Sequence, residues 1–526
     1  MGIVNARVVN PNDIIETTWT AKQSASAFGK GQAFFSDVGV DGTVGISNGS
    51  TWSFGSKAIS VNSVSDLSLL PTECKTSIVK DPLRGGEFNW SATGTVDSGT
   101  TFAGLTGYWK RQYSGAIDVR WFGAKGDNAT DDTTAIQAAI NAGGDIYFPP
   151  GTYLASLLNL KSNTTLYGSG DLSIIRPIVG STAILLYGLS ASAGTYLETV
   201  TIRNLVLYGR VETEAFSQYL HLIDVNGVRN FIVKDCTIKG FRGDGIYIGA
   251  HTDNTRHNVN VTISNNTIDG INKDNRNGLS IIDGNGVTVH GNTFQHCTRV
   301  TMPGPVDIEP NHINNVLKNI KITFNHFADT NAGSGVINIV FRAQHTTEPS
   351  GFLIEGNTSD ITDHIFFMWD NTVTFSTQQN ISLINNPNIN CSAGFLFYTK
   401  ANGVKIIGNT FNEFGGGATL GSSVTDTITN AVVSGNIFKG DNTYRAMTIR
   451  NCNFVQVSNN VFYNFLNYGV LIGEVGCNIT HTTFQGNVFN NITGAALLIQ
   501  KAAGSTIDVA NCSQVNNIGT GTYSFP

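Results

Sequence analysis

Charge is scarce in this chain. Asp, Glu, Lys and Arg make up 13% of 526 residues, and the net charge of −6 comes with no basic run or stripe. A nucleic-acid binder neutralises phosphates with clustered Lys and Arg, so that class of partner has no electrostatic support. Proline is sparse at 12 residues, and no apolar run approaches the ~18 residues that would cross a bilayer, so no membrane insertion is expected. The opening MGIVNARVVNPND lacks the apolar core of a secretory leader, and Ala6 stands where a myristoylation signal needs Ser or Thr. The seven cysteines are scattered, with no Cys-x-x-Cys and no Cys/His grouping at zinc spacing. Several fall in stretches such as DCTI and NCNF, where a small apolar side chain suits an inward position. Free buried thiols, made in a reducing cytoplasm, are the expectation. No phosphate-cradling glycine loop, no GxSxG elbow and no tight acidic calcium cluster is recognisable, so neither cofactor nor metal is expected.

What the chain has is repetition. It holds 58 glycines and is rich in Asn and Thr, which favour turns over helices. An alternating apolar stretch followed by Asn-x-Phe or a near variant recurs as VTISNNTI, VTVHGNTF, VKIIGNTF, VQVSNNVF and TTFQGNVF. The Asn slot is read at Asn204, Cys236, Asn266, Asn292, Asn325, Asn357, Asn386, Asn409, Asn436, Asn460 and Asn487, a mean period of about 28 residues. That period predicts an all-β solenoid of roughly a dozen coils, with Phe294, Phe327, Phe411, Phe438, Phe462 and Phe489 in its core.

Three regions are expected. Residues 1–60 carry short strands outside the repeat register, 61–115 form a region before the solenoid, and 116–526 form the solenoid itself. Thr130-Asp131-Asp132 offers a helix start, TAIQAAINA the helix and Gly143-Gly144 its end. A short amphipathic helix there covers the open apolar end of the first coil.

A second strand of each coil aligns on the small residue that precedes it: Gly245, Gly278, Pro305, Gly335, Gly394 and Gly469. Alternation turns Ile246, Leu279 and Val306 inward and Tyr247, Ser280 and Asp307 outward. Asp307 and Glu309 then share one face, with Cβ atoms ~6.5–7 Å apart. Adjacent carboxyls on a strand suit glycoside hydrolysis, where one donates a proton and the other acts as base or nucleophile. Asp244 lies on the rim two coils earlier and is read as a supporting acid, while Asp283 reads as a turn residue. Glu212 and Glu214, on an insertion between early coils, are the reserve pair. Flat rings and donors that would suit a sugar groove are Arg242, Tyr247, His251, Arg256 and His257 from earlier coils, and Arg342, His345, His364, Trp369, Tyr398 and Lys400 from later ones. His312 reads equally as a loop or a groove residue.

The stretch VRWFGAKGDNATDDTTAIQAAINAGGDIYFPPGTYL resembles the pectate-lyase-like right-handed parallel β-helix superfamily, and more narrowly the tailspike depolymerases of bacteriophages. The preceding SVSDLSLLP, GGEFNW and GYWKRQYSG are similar to the segment before the helix in those proteins, and DIEPN at 307–311 resembles a recurrent motif of capsule-degrading members. The resemblance implies a homotrimer held to a phage tail or baseplate through its N-terminus and acting outside the cell on a bacterial capsular polysaccharide. It also implies carboxylate catalysis at Asp307 and Glu309. Two other activities stay open: a lyase on an acidic glycan, using Arg342 with His345 or Lys400, and a non-catalytic adhesin for the same polymer.

Overall fold

In a computed structural model the chain divides into two units, residues 1–153 and 154–526. The structure describes residues 59–524 except 71, 73, 191–193, 273, 331–334, 342–344, 363–364, 371–376, 392, 415–416, 422–426, 442–444, 474–476, 500–505, 508–512 and 520–521. Before residue 59 it describes only the strands Ile14–Thr17, Ala33–Ser36, Thr43–Ser47 and Trp52–Phe54, which form one sheet in that order. The rest of the expected 1–60 segment lies outside the described residues, as do Arg342, His364 and Cys512.

Within the first unit, a five-stranded mixed sheet runs in the order Ile59–Val61, Thr76–Val79, Gly86–Ser91, Tyr108–Arg111, Thr101–Ala103. Leu67, Phe88 and Trp109 fill its core. The Arg111 guanidinium lies over the Phe88 ring and donates to the carbonyls of Arg84, Gly85 and Gly99, which offsets its burial. Helix α1, Thr133–Ala142, follows with Ile136, Ala139 and Ile140 buried on one face. Asp132 does not cap α1 with its side chain. Its carboxylate accepts instead from the Lys125 and Gly126 amides at 2.8 and 3.0 Å, pinning the turn that leads into the helix. Gly143, at φ 85°, ends α1 where a Cβ would be strained.

The second unit is a right-handed parallel β-helix. Three strands per coil stack into three parallel walls. The first wall includes Val259–Ser264 and Gly284–His290, and the second includes Thr267–Asp269 and Thr293–Gln295. The third wall has 14 strands, from Leu158–Asn159 to Thr522–Ser524. Its strands β1 (Ile223–Asn226), β2 (Ile246–Gly249), β3 (Leu279–Ile281), β4 (Val306–Ile308) and β5 (Ile337–Phe341) pair in that order. Inward residues are shielded completely, among them Ile223, Ile246, Leu279, Val306 and Ile337.

The expected phenylalanines fill the core. Phe294 stacks on Phe327 with centroids 5.2 Å apart, and Phe411, Phe438, Phe462 and Phe489 stack in succession at 5.1, 5.0 and 5.0 Å. Six cysteines are free and buried, and burial pushes the Cys236 and Cys391 thiols up to about 12.

The Asn slot forms an amide ladder between the first two walls. Asn292 illustrates it: its backbone amide and Nδ2 both donate to Asn325 Oδ1, at 2.9 and 3.0 Å, and Nδ2 also donates to the Ile263 carbonyl at 2.9 Å. The same pattern runs from Asn266 to Asn487 and on to Asn517, a rung the repeat reading lacks. One assignment is corrected. Asn204 is not in the ladder: it precedes the slot at φ 51°, and Leu205 fills the slot, 1% exposed. The residue before each slot turns left-handed, which suits Asn and Gly, as at Asn265, Gly291, Gly408 and Asn459. Asn204 belongs to that row.

Candidate active site on the third wall

The outward face of the third wall carries the chemistry. Register places Tyr187, Asp224, Tyr247, Ser280, Asp307 and Asn338 in one row across successive strands. Tyr247, Ser280 and Asp307 were expected there. Asp224, on β1, was not.

Outward does not mean exposed. Ser280 and Asp307 are fully shielded and Glu309 is half-buried, because a side chain from the turn before β3 lies over them. That turn is pegged by the wholly buried Asn275, whose Nδ2 donates to the Gly270 and His296 carbonyls, each at 3.2 Å. It delivers Arg276 and Asn277 above β3. Arg276 Nη1 donates to Asp244 Oδ2 at 2.7 Å and to Ser280 Oγ at 3.0 Å. Its Nη2 lies 3.4 Å from Glu309 Oε2 and 3.5 Å from Asp307 Oδ2. Burial works against the guanidinium's charge, but Asp244, Asp307 and Glu309 outweigh it and hold its pKa above the ordinary value. Asn277 completes the frame, donating from its backbone to Asp244 Oδ1 at 2.9 Å and from Nδ2 to Asp307 Oδ2 at 3.2 Å.

Below this frame the His221 ring stacks on Tyr247, with centroids 4.6 Å apart and planes at 7°. The Asp244 amide donates to His221 Nδ1 at 3.0 Å. That nitrogen therefore offers its lone pair, and the 3.4 Å approach of Asp244 Oδ2 to it is not an ion pair. Burial lowers the His221 pKa and keeps the imidazole neutral. Asp224 accepts from Asn226 Nδ2 at 2.7 Å, yet burial raises its pKa to about 6. The Tyr247 phenol is raised too, first by burial and then by Asp244 and Asp224.

These groups border a cavity of about 450 Å³, lined by Ile184, Gln218, Tyr219, His221, Asp224, Tyr247, Arg276, Ile282, Glu309 and Asn311. A carboxyl whose pKa burial raises and an Arg-paired carboxylate line the same space. That arrangement can donate a proton to a leaving oxygen and accept one from water.

The other sequence candidates are dispersed. Gln218 and Tyr219, on the insertion with Glu212 and Glu214, line the cavity. Glu214 itself pairs with Arg242 at 2.6 Å, and Glu212 accepts from the Tyr208 hydroxyl. His251 is buried, with Nδ1 3.0 Å from Asp253, and Asp253 also holds Arg256 at 2.6 Å. His257 and the buried Asp283 form a pair at 2.8 Å; Asp283 also accepts from the Asn258 and Val316 amides, so it ties coils together as well as making a turn. His312 Nδ1 accepts from the Asn314 amide within its own loop. His345 is buried with its ring edge-on to Phe341, and Lys400 is exposed. Trp369, 40% exposed, pairs in register with Tyr398 and with Val340 on β5. Continuing the β4 register by one residue sets Glu309 beside Val340, so Trp369 lies two strands beyond Glu309.

Sequence reasoning missed His221, Asp224 and Arg276. The third-wall strands were aligned on the small residue before each, but β1 is preceded by Leu222, so Asp224 escaped. Arg276 stands two residues before Gly278 and was within reach of the same alignment.

Comparison with known proteins agrees with this architecture. Residues 116–179 match the family profile described as rhamnogalacturonase A/epimerase, pectate lyase-like. The pre-neck appendage protein of Bacillus phage phi29 is 34% identical over 97 residues, covering 18% of this chain and 11% of that protein. Alginate lyase 7 of Azotobacter vinelandii is 40% identical over 89 residues, covering 14% and 10%. The chain thus spans about a tenth of the length of these curated relatives. Among solved structures, the tailspike protein gp49 of Acinetobacter baumannii bacteriophage Fri1, a capsular polysaccharide depolymerase, superposes with a TM-score of 0.50. It is 16% identical and covers 89% of this chain and 76% of that one, a likeness of fold.

Proposed function

We propose that this protein hydrolyses glycosidic bonds within a bacterial surface polysaccharide, as a spike carried on a phage particle. The observation that carries the reading is the third-wall cavity, where Asp224 and Glu309 line one space and Arg276 holds the second of them. The profile match over 116–179, the partial similarity to a phage appendage protein and to an alginate lyase, and the fold shared with a phage depolymerase support it. Attachment through the N-terminus, a homotrimeric state and a capsule as substrate belong to the same proposal.

In this mechanism Asp224, protonated at mildly acidic pH, gives its proton to the leaving glycosidic oxygen. Glu309, ion-paired with Arg276, takes a proton from water as that water attacks the anomeric carbon. Asp244 and Asp307 do not touch the substrate; they orient Arg276. Asp224 and Glu309 are three strands apart, so their Cα atoms are roughly 16 Å apart, and side chains leaning straight at each other would bring the carboxyls to roughly 10 Å. That lies just beyond the ~6.5–9.5 Å separation of inverting enzymes and leaves room for the water.

A second reading pairs Asp307 with Glu309. Their oxygens lie within 3.5 Å of one Arg276 nitrogen, hence no more than about 7 Å apart, close enough for a retaining double displacement. A lyase is less well supported, since the one cation among the described lining residues, Arg276, is already shared by carboxylates.

The test is incubation of purified protein with a panel of bacterial surface polysaccharides, followed by chain-length and reducing-end measurement. Shortened chains with new reducing ends and no unsaturated sugar are expected. Products absorbing in the ultraviolet as unsaturated uronates would assign a lyase, and unshortened but bound chains an adhesin.

A further inference from the structure

Resting on the hydrolytic reading, we propose that the insertion before β1 is a sugar-recognition ledge. On it Tyr219 stacks against the apolar face of a pyranose unit bound in the cavity, and the Gln218 amide reads the polar substituents of that unit. The insertion, residues 209–222, joins the second-wall strand Val206–Tyr208 to β1, whereas the next coil makes the same connection with residues 240–245 alone. Its long side chains are committed to the protein one after another. Glu212 accepts from the Tyr208 hydroxyl, and Glu214 pairs with Arg242 at 2.6 Å and accepts from the Gly180 amide at 3.0 Å. The Phe216 ring lies 4.4 Å from the Arg299 guanidinium. The backbone is stitched down as well. The Ser217 amide donates to the Arg242 carbonyl at 3.2 Å, the Gly243 amide to the Leu220 carbonyl at 3.1 Å, and the Leu222 amide to the Asp244 carbonyl at 3.1 Å.

Gln218 and Tyr219 are the exceptions. Both are exposed, Tyr219 at 72%, and neither side chain has a hydrogen bond, ion pair or ring contact among the described residues. Both line the cavity that Asp224 and Glu309 also line. An exposed tyrosine is ordinary by itself. This one stands on backbone fixed immediately before and after it, at Ser217 and Leu220, so a ligand that packs on the ring has little chain to order. The chemistry of the two suits a carbohydrate. A phenol ring offers a flat apolar face to the C–H face of a pyranose. A primary amide beside it offers two donors and an acceptor, which match hydroxyl and acetamido groups alike.

The experiment uses the full chain and a panel of purified bacterial polysaccharides built from hexoses, N-acetylhexosamines and uronic acids. Kinetics are taken on every polymer that wild type shortens. Tyr219→Ala should raise KM about fivefold or more and leave kcat within about twofold, the mark of lost binding rather than lost chemistry. Its urea midpoint should match wild type, because the ring supports nothing in the fold. Tyr219→Phe, which keeps the ring, should return KM to near the wild-type value. Gln218→Leu, which keeps the bulk and loses the polar atoms, should raise KM as well. A KM within about twofold of wild type for Tyr219→Ala or Gln218→Leu overturns the inference and leaves the hydrolytic reading intact. So does a defect in Tyr219→Ala that falls on kcat, or one that Tyr219→Phe does not repair. A wild-type protein that shortens no chain in the panel sinks both.

Discussion

Asp244, wholly shielded from solvent, holds Arg276 Nη1 at 2.7 Å from its Oδ2. The pair joins two coils of the third wall and aims the other guanidinium nitrogen at Glu309. Removing one charge strands the other, and breaking a buried pair costs on the order of 3 kcal/mol. Asp244→Asn should therefore lower the urea midpoint while the amide bond to Asn277 is retained. Arg276→Met should leave Asp307 and Glu309 as close like charges and abolish activity. A wild-type urea midpoint for Asp244→Asn would mean that Asp307 and Glu309 suffice to hold Arg276.

The Asp224 carboxyl gives a pH signature. Burial raises its pKa to about 6, so the folded state binds this proton more tightly than the unfolded chain does. Its contribution to stability is complete below the ordinary carboxylate pKa and is lost as the pH rises through about 6. Asp224→Asn should match wild type at pH 4 and exceed it at pH 8 by up to about 3 kcal/mol. Cleavage by wild type should decline on the alkaline side of the same value. Carboxyl-carbon NMR of Asp224 reads the titration directly, and a midpoint at an ordinary carboxylate value would remove Asp224 from the acid role.

Glu309→Gln keeps the side-chain shape but cannot accept a proton. A loss of about 10²–10⁴ in cleavage rate is expected, with polysaccharide binding unchanged. Asp307→Asn should cause a smaller fall together with a shifted pH optimum, because it acts through Arg276. Proton NMR of the first product should show an inverted anomeric centre. Retention would instead assign the chemistry to the closer Asp307–Glu309 pair.

The amide ladder sets a separate expectation. Asn325 accepts from the Asn292 backbone and side chain and donates to the Val289 carbonyl and to Asn357. Asn325→Asp keeps the acceptors and loses the side-chain donors, so the Val289 carbonyl loses its Nδ2 partner in a buried corner and Asn357 Oδ1 keeps only the Asn325 backbone amide. Such a loss costs about 1–3 kcal/mol, and Asn325→Asp should unfold at distinctly lower urea than wild type. An unchanged midpoint would show that the ladder follows the fold without stabilising it.

Much of the fold could be read in advance because strand alternation and the Asn–Phe repeat are physical requirements of stacking. An Asn must reach its neighbour's amide, and a Phe one position past the following residue must point inward. Asn204 shows the limit: the chain has Asn both before the slot and in it, at 265 and 266, so identity alone could not fix the phase. The site was harder. Alternation correctly set Asp307 in an outward row, but coverage depends on a turn 30 residues away in sequence, which brings Asn277 onto it. Such contacts between coils leave no periodic trace. His221 is the extreme case, lying outside any strand and placed by the amide of Asp244.

The ladder also decouples two kinds of change. Successive rungs are 23 to 33 residues apart in sequence, yet every rung has the same geometry. Extra residues must therefore be absorbed at the other corners, where the turn bearing Arg276 and the loop bearing Tyr219 overhang the cavity. A lineage can lengthen, shorten or replace those overhangs and never disturb the spine. The molecule can follow a changing coat of sugars while its framework stands still.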